Sequence, residues 1–260
     1  MKSIILCGGQ GTRIRGVEDS VPKPMIPIGQ LPILWHIMKS YAAAGHQEFV
    51  LCLGYKSHVI KEFFINYDAF TADFTISLGR RKEIEFHSDV PESNWRVTLA
   101  ETGLDAMTGA RISRVRKYIG DENFMITYGD GLSDVNFNEL IDFHRLHGKI
   151  VTVTGVRPPG RFGEMEVDDS GLITEFNEKP QATGGRISGG FFVCSPKLFD
   201  YLDDDEGLVF EQEPMRQLVS DQQIMVYKHD GFWQCMDTFR DYQMLNRLWN
   251  ADKAPWKTWA

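Results

Sequence analysis

Short uninterrupted apolar runs alternate with helically spaced segments through the first half of the chain. Residues 4–7 (IILC), 49–53 (FVLCL), 124–128 (FMITY) and the β-branched 150–156 (IVTVTGV) read as strands, because apolar runs this short suit buried strands. Between them, residues 32–44, 56–67 and 137–147 read as helices. Ile33, Leu34, Ile37, Met38 and Tyr41 mark one face of the first, and Val59, Ile60, Phe63 and Phe64 one face of the second. Pro32 suits the opening turn of the first helix and Gly45 its C-terminal cap. Continuous apolar strands alternating with helices predict an α/β fold: a Rossmann-like, mostly parallel mixed sheet flanked by helices on both faces.

The second half has a different rhythm. Residues 164–167 and 172–176 flank Asp168-Asp169-Ser170-Gly171, a hairpin signal that predicts a small inserted β-rich lobe. Residues 189–194 and 226–229 read as strands, 196–201 and 211–219 as short helices, and 238–250 as a closing helix with Asp237 as its N-cap. No repeat, low-complexity stretch or Pro/Ser-rich linker divides the chain. The expectation is one domain over residues 1–260, with halves at roughly 1–130 and 131–240 and a helix and tail at 241–260.

Composition narrows the class. The 260 residues are 42% hydrophobic and 25% charged, as in ordinary globular proteins. With 28 Lys and Arg against 36 Asp and Glu, the net charge is −8, which argues against a nucleic-acid partner. The run at residues 4–7 is too short for a signal peptide, and no stretch reaches the ~18 apolar residues of a membrane span. A cytoplasmic protein without a membrane partner is expected. Cys7, Cys52, Cys194 and Cys235 are widely separated, so reduced and mostly buried thiols are expected rather than a zinc cage or disulfide framework.

The first strand runs into Gly8-Gly9-Gln10-Gly11-Thr12-Arg13. Glycines at this point let backbone amides approach phosphate oxygens closely. The loop is not a P-loop, since GxxxxGK[ST] is absent, and it lacks the third glycine of the dinucleotide fingerprint, which disfavours a nicotinamide oxidoreductase. Arg13 and Arg15 follow, then Lys23 between Pro22 and Pro24, whose rings fix the local backbone. Three cations beside a glycine loop, in a chain of negative net charge, point to a polyphosphate site.

Strand 124–128 ends in Gly129-Asp130-Gly131, the carboxyl end where open α/β sheets place ligand groups. Asp130 is a candidate metal ligand, and Asp237 is a second, competing with its N-cap reading. Two carboxylates could hold one Mg²⁺, whose other positions go to phosphate and water. His144 and His147, three apart with Asp142 nearby, have a spacing open to a transition metal but read more simply as a polar helix face.

In order along the chain, GGQGTR, PKPM, GDG, EKP (178–180), SGGFFV and MDT resemble the sugar-phosphate nucleotidyltransferases. PILWHIMK (32–39), TYGDG (127–131), PPGRFG (158–163), GFWQ (231–234) and KAPWKTW (253–259) make the likeness greatest to the glucose-1-phosphate cytidylyltransferase branch, across essentially the whole chain. The resemblance implies Mg²⁺-dependent transfer of CMP from CTP to a sugar 1-phosphate, giving a CDP-sugar and pyrophosphate. It implies that residues 1–130 bind the nucleotide and 131–240 the sugar phosphate. Leu6, Gly8, Gly9, Gly11, Thr12, Arg13, Lys23, Thr102 and Asp130 would hold the nucleotide, with Arg13 and Lys23 catalytic. Thr102 enters through Glu101-Thr102-Gly103, a base-reading segment by its place in the family pattern. Gly163, Glu178, Lys179, Ser188 and Gly190 would hold the sugar phosphate, and Asp130 and Asp237 the metal. A homo-oligomer, a hexamer in the family, is also implied, with the apolar tail at Trp256 and Trp259 available for docking on a neighbour.

The chain departs from the family pattern at several places. Val21 stands where the family often has Lys, and Gln30-Leu31 replace Gly-Lys. Ser188 replaces an Asn expected near the sugar, and has a shorter reach. Another hexose 1-phosphate, another alkyl phosphate or another nucleoside triphosphate remains open, as does a non-catalytic nucleotide sensor.

Overall fold

Seven strands build the central sheet of the computed structural model: β1 (Lys2–Leu6), β2 (Glu48–Leu53), β3 (Arg96–Glu101), β4 (Phe124–Tyr128), β5 (Val151–Val156), β6 (Ile187–Cys194) and β7 (Ile224–His229). The structure describes residues 1–9, 21–79, 83–158, 164–167, 172–177 and 185–259. The strand order is β7-β5-β6-β4-β1-β2-β3. Only β6 among the seven runs antiparallel to its neighbours, β4 and β5. The sheet is therefore mixed and mostly parallel, as the continuous apolar runs predict.

Burial on both faces explains those runs. Along β1, Ile5 packs into one core and Ile4 and Leu6 into the other; along β2, Phe49, Leu51 and Leu53 alternate with Val50 and Cys52. Helices α1 (Ile33–Ala43), α2 (Ser57–Ile65), α3 (Thr108–Arg114), α4 (Phe137–His147), α5 (Glu213–Ser220) and α6 (Phe239–Asn250) supply the covering layers. Residues of α1, α2, α4 and α6 share the core of Ile5, while residues of α3 and α5 share that of Ile4. The central strands β1, β2 and β4 thus remove most of their side chains from water, the main favourable term in folding.

Several expectations need correction. The closing helix is capped by Thr238, not Asp237: the Thr238 hydroxyl accepts from the Asp241 amide, and the Asp241 carboxylate accepts from Thr238 N–H. The 196–201 segment is the short helix expected, of the 3₁₀ type. Trp256 is fully buried within its own chain, beside Phe232, His36 and Trp249, and so offers no surface to a neighbour. His144 is buried rather than on a polar face; His144 Nδ1 and His147 Nε2 both meet the Thr152 hydroxyl, at 2.8 and 2.7 Å. Burial first, then the charges of His147 and Arg145, push the His144 pKa down to about 4.

Strand β3 and a second hairpin, Phe74–Ser77 with Glu83–Phe86, are among the strands that the apolar runs did not announce. The expected hairpin is Glu164–Val167 with Ile173–Asn177, separate from the central sheet; its turn lies outside the described residues. Cys7, Cys52 and Cys194 are buried free thiols, and Cys235 is half-buried.

Candidate active site

The order of the strands decides where a ligand can sit. Chain connections leave β1 towards β2 on one side, while β4 pairs with its other edge. A crevice opens outside the carboxyl ends of strands at such a switch point. Gly8 and Gly9 follow β1, and Gly129 and Asp130 follow β4. The Gly129 amide donates to the Leu6 carbonyl at 3.1 Å and so locks the two strand ends together.

A cleft of ≈ 540 Å³ occupies this place. Leu6, Gly8, Gly9, Lys23, Asp130 and residues 104–108 are among the residues that line it. Of the candidate nucleotide residues, Leu6, Gly8, Gly9, Lys23 and Asp130 therefore share one cavity. Gly11, Thr12 and Arg13 lie outside the described residues, as do Gly163, Glu178 and Lys179.

Lys23 ties the two acidic candidates together. Its ammonium donates to Asp130 Oδ2 and Asp237 Oδ1, each at 2.6 Å. Residues 130 and 237 are far apart in sequence, yet their carboxylates converge on one cation. The backbone explains the placement: Lys23–Met25 is a 3₁₀ turn, with Met25 N–H donating to Pro22 O at 2.8 Å. Asp237 follows the short strand Trp233–Cys235, which pairs with Gly131–Ser133 directly after Asp130. The Met236 amide donates to the Asp130 carbonyl at 2.9 Å. Burial disfavours the Lys23 ammonium, but the two carboxylates outweigh that cost and raise its pKa above the ordinary lysine value.

Cys235 donates its thiol to Asp237 Oδ2 at 3.0 Å. Burial, then the Asp237 hydrogen bond and charge, push that thiol up to about 12. Hard carboxylate oxygens, one of them lining a phosphate-sized cleft, suit a divalent cation that takes few protein ligands. The donor set of Asp130 and Asp237 fits such an ion. Among the described residues, no cluster of three or more His, Cys, Asp or Glu groups offers another metal site.

The sugar-side candidates enter at the same end of the sheet. Phe191 of β6 pairs with Thr127 of β4, which places Gly190 beside Tyr128. Gly190 has φ +76°, and a Cβ there would lie 2.4 Å from the Tyr128 ring. Ser188 is exposed two residues earlier, its hydroxyl accepting from the Gly190 amide at 3.3 Å.

Thr102 is buried behind the cleft, its hydroxyl donating to the Leu53 carbonyl at 2.7 Å. The cleft wall at this point is formed by Leu104, Asp105, Ala106, Met107 and Thr108.

Sequence reading missed Arg111. It is 4% exposed, and no ion pair joins it among the described residues. Its guanidinium donates to the carbonyls of Gly8, Leu53, Gly103 and Leu104, and to the Thr102 hydroxyl, at 2.8 to 3.2 Å. One side chain thereby fastens the glycine loop to the ends of β2 and β3. Its signal is the run Gly109-Ala110-Arg111-Ile112, small and apolar around an inward-facing arginine. Sequence reading also missed Glu211, which accepts from the Tyr128 hydroxyl and, at 2.6 Å, from Thr108.

The family model described as nucleotidyl transferase matches residues 2–250. The glucose-1-phosphate cytidylyltransferase of Salmonella typhi is 46% identical over 260 residues, covering 100% of both chains. A probable glucose-1-phosphate cytidylyltransferase of Bacillus subtilis (strain 168) is 44% identical over 259 residues, again covering 100% of both. The crystal structure of HddC from Yersinia pseudotuberculosis shares the fold with a TM-score of 0.65 at 21% identity, over 95% of this chain and 99% of that one. With the family model spanning nearly the whole chain and two relatives above 40% identity end to end, the chain belongs to the nucleotidyl transferase family.

Proposed function

We propose that the chain transfers CMP from CTP to α-D-glucose 1-phosphate, forming CDP-glucose and pyrophosphate. The observation that carries the choice of substrates is the 46% identity, over the full length of both chains, to the Salmonella typhi glucose-1-phosphate cytidylyltransferase. The convergence of Asp130 and Asp237 on Lys23, with Lys23 and Asp130 lining the cleft, supports the chemistry.

The sugar phosphate oxygen attacks the α-phosphorus of CTP in line, and pyrophosphate departs. The nucleophile is already an anion, so no general base is required. Catalysis then rests on positioning and on charge neutralisation. In this reading Gly8, Gly9 and Gly11 bring backbone amides to the phosphates, and Thr12 and Arg13 take the β- and γ-phosphates. Lys23 takes the α-phosphate oxygens, where charge develops. Lys179 orients the sugar phosphate and Glu178 accepts from sugar hydroxyls, beside Gly163, Ser188 and Gly190. Thr102 supports the nucleotide wall through Arg111. Mg²⁺ on Asp130 and Asp237 would neutralise triphosphate oxygens. A cytoplasmic homo-oligomer, with six copies, belongs to the same reading.

Ser188 favours a second acceptor as the variant to examine, since its side chain is shorter than the Asn expected there. The test is product analysis by chromatography across a panel of nucleoside triphosphates and hexose 1-phosphates. CDP-glucose from CTP and glucose 1-phosphate, at the highest kcat/KM of the panel, supports the proposal. Binding of CTP with no product from any pair would leave a nucleotide sensor and overturn it.

A further inference from the structure

Lys23 stands in two places at once in the chemistry described above: it is bonded to both candidate metal ligands, and it is the cation meant for the α-phosphate. We infer that Lys23 is a built-in counter-cation for Asp130 and Asp237, displaced onto the phosphates only when a divalent cation takes the two carboxylates. The inference rests on the proposed nucleotidyl transfer and goes further, because it makes metal binding and delivery of Lys23 a single exchange.

The geometry supports exchange rather than side-by-side occupation. Lys23 spends two of its three N–H donors on Asp130 Oδ2 and Asp237 Oδ1, both at 2.6 Å. The two acceptor oxygens can be no further apart than these two bonds laid end to end, which leaves no room between them for a second cation. The other Asp237 oxygen already accepts from the Cys235 thiol at 3.0 Å. The Lys23 side chain is 12% exposed, against 29% and 43% for the carboxylates. An ion arriving from water therefore meets the acidic oxygens before it meets the ammonium.

The backbone around Lys23 confines any movement to its side chain. Pro22 and Pro24 flank it, Met25 N–H and Ile26 N–H close the turn on Pro22 O and Lys23 O, and Pro24 packs against Gly129. The four-carbon stem is the part left to swing, and it lines the same cleft as Gly8 and Gly9. Charge balance favours the swing. A divalent ion brings two positive charges to the carboxylates where the ammonium brings one, and the ammonium is released towards an anion. A metal alone must break two charge-assisted hydrogen bonds, whereas a metal arriving with a nucleotide offers Lys23 new acceptors. Metal and nucleotide are then positively coupled, each raising affinity for the other.

The test measures Mn²⁺ binding without nucleotide, by the loss of the free-ion electron paramagnetic resonance signal. Wild type, Lys23→Met and Lys23→Met with Asp237→Asn are compared, with thermal melting to establish folding. Removing the competing ammonium is expected to tighten Mn²⁺ binding about tenfold, and Asp237→Asn should erase the gain. Unchanged or weaker binding in folded Lys23→Met overturns the inference, as does a gain that survives Asp237→Asn. Lys23→Gln serves as the second variant should the Met side chain prevent folding, with the same expected and overturning results. The assay contains neither CTP nor sugar phosphate, so its failure is separable from failure of the proposed activity.

Discussion

Lys23 joins Asp130 and Asp237 across more than two hundred residues of chain, with 2.6 Å from its ammonium to each carboxylate. The pair is partly exposed, so its value lies in where it holds charge more than in stability. Lys23→Ala is expected to lower kcat by about 10²–10³, the usual consequence of deleting one group that stabilises developing charge. Its melting temperature should stay within a few degrees of wild type. Steady-state kinetics alongside calorimetry check this; loss of activity matched by loss of folding would contradict it.

Arg111 has a structural role that a lysine cannot copy. Its planar fork reaches four carbonyls from three different segments at once, while an ammonium is a compact charge with three N–H donors and no fork. Arg111→Lys withdraws guanidinium donors from the Gly103 and Leu104 carbonyls, while Leu53 and Gly8 keep Thr102 and Tyr55 as donors, and is expected to cost about 1–3 kcal/mol of stability. Urea denaturation measures it. A variant as stable as wild type would show that the carbonyls find other donors.

Gly190 makes space for Tyr128, the residue that leads into Gly129-Asp130. Gly190→Ala puts a methyl group 2.4 Å from that ring, at a φ of +76° that disfavours any L side chain. Destabilisation of about 1–3 kcal/mol is expected, with a drop in activity as Tyr128 shifts. A Gly190→Ala variant with unchanged melting and turnover would count against this placement.

His36 predicts how stability depends on pH. It is fully buried, with Nε2 facing the Ile28 carbonyl at 2.9 Å and Nδ1 accepting from Trp256 at 3.5 Å. Burial pushes its pKa down to about 4, below the 6.5 of an unfolded histidine. The unfolded state therefore binds the proton first. Stability is full above pH 6.5 and falls as pH drops towards 4, by up to about 1.4 kcal/mol per pH unit from this residue. His36→Gln should flatten that part of the curve. An unaltered acid limb would assign the loss to other groups.

Local signals in the sequence point to several of the residues that line the cleft. Glycines after β1, prolines around Lys23 and the Gly-Asp-Gly after β4 each constrain their own stretch of backbone, so Gly8, Lys23 and Asp130 are readable one segment at a time. Arg111 is not, because its partners are carbonyls at the ends of other strands and exist only once the sheet is assembled. Strand β3 escaped because its pattern is half-exposed, with only Ala100 fully buried. Asp237 was misread as a cap although Thr238 and Asp241, three apart, carry the capping-box signal themselves. Trp256 looked like a sticky exposed tail because nothing local announces the pocket of His36, Trp249 and Phe232 that it fills.

Release of pyrophosphate from CTP in the presence of glucose 1-phosphate tests the whole account most directly. Wild type should release one pyrophosphate for each CTP consumed, only when both substrates and a divalent cation are present, and Asp130→Asn should be slower by about 10²–10³. No release with any nucleoside triphosphate and sugar phosphate, or an Asp130→Asn variant as fast as wild type, would contradict it.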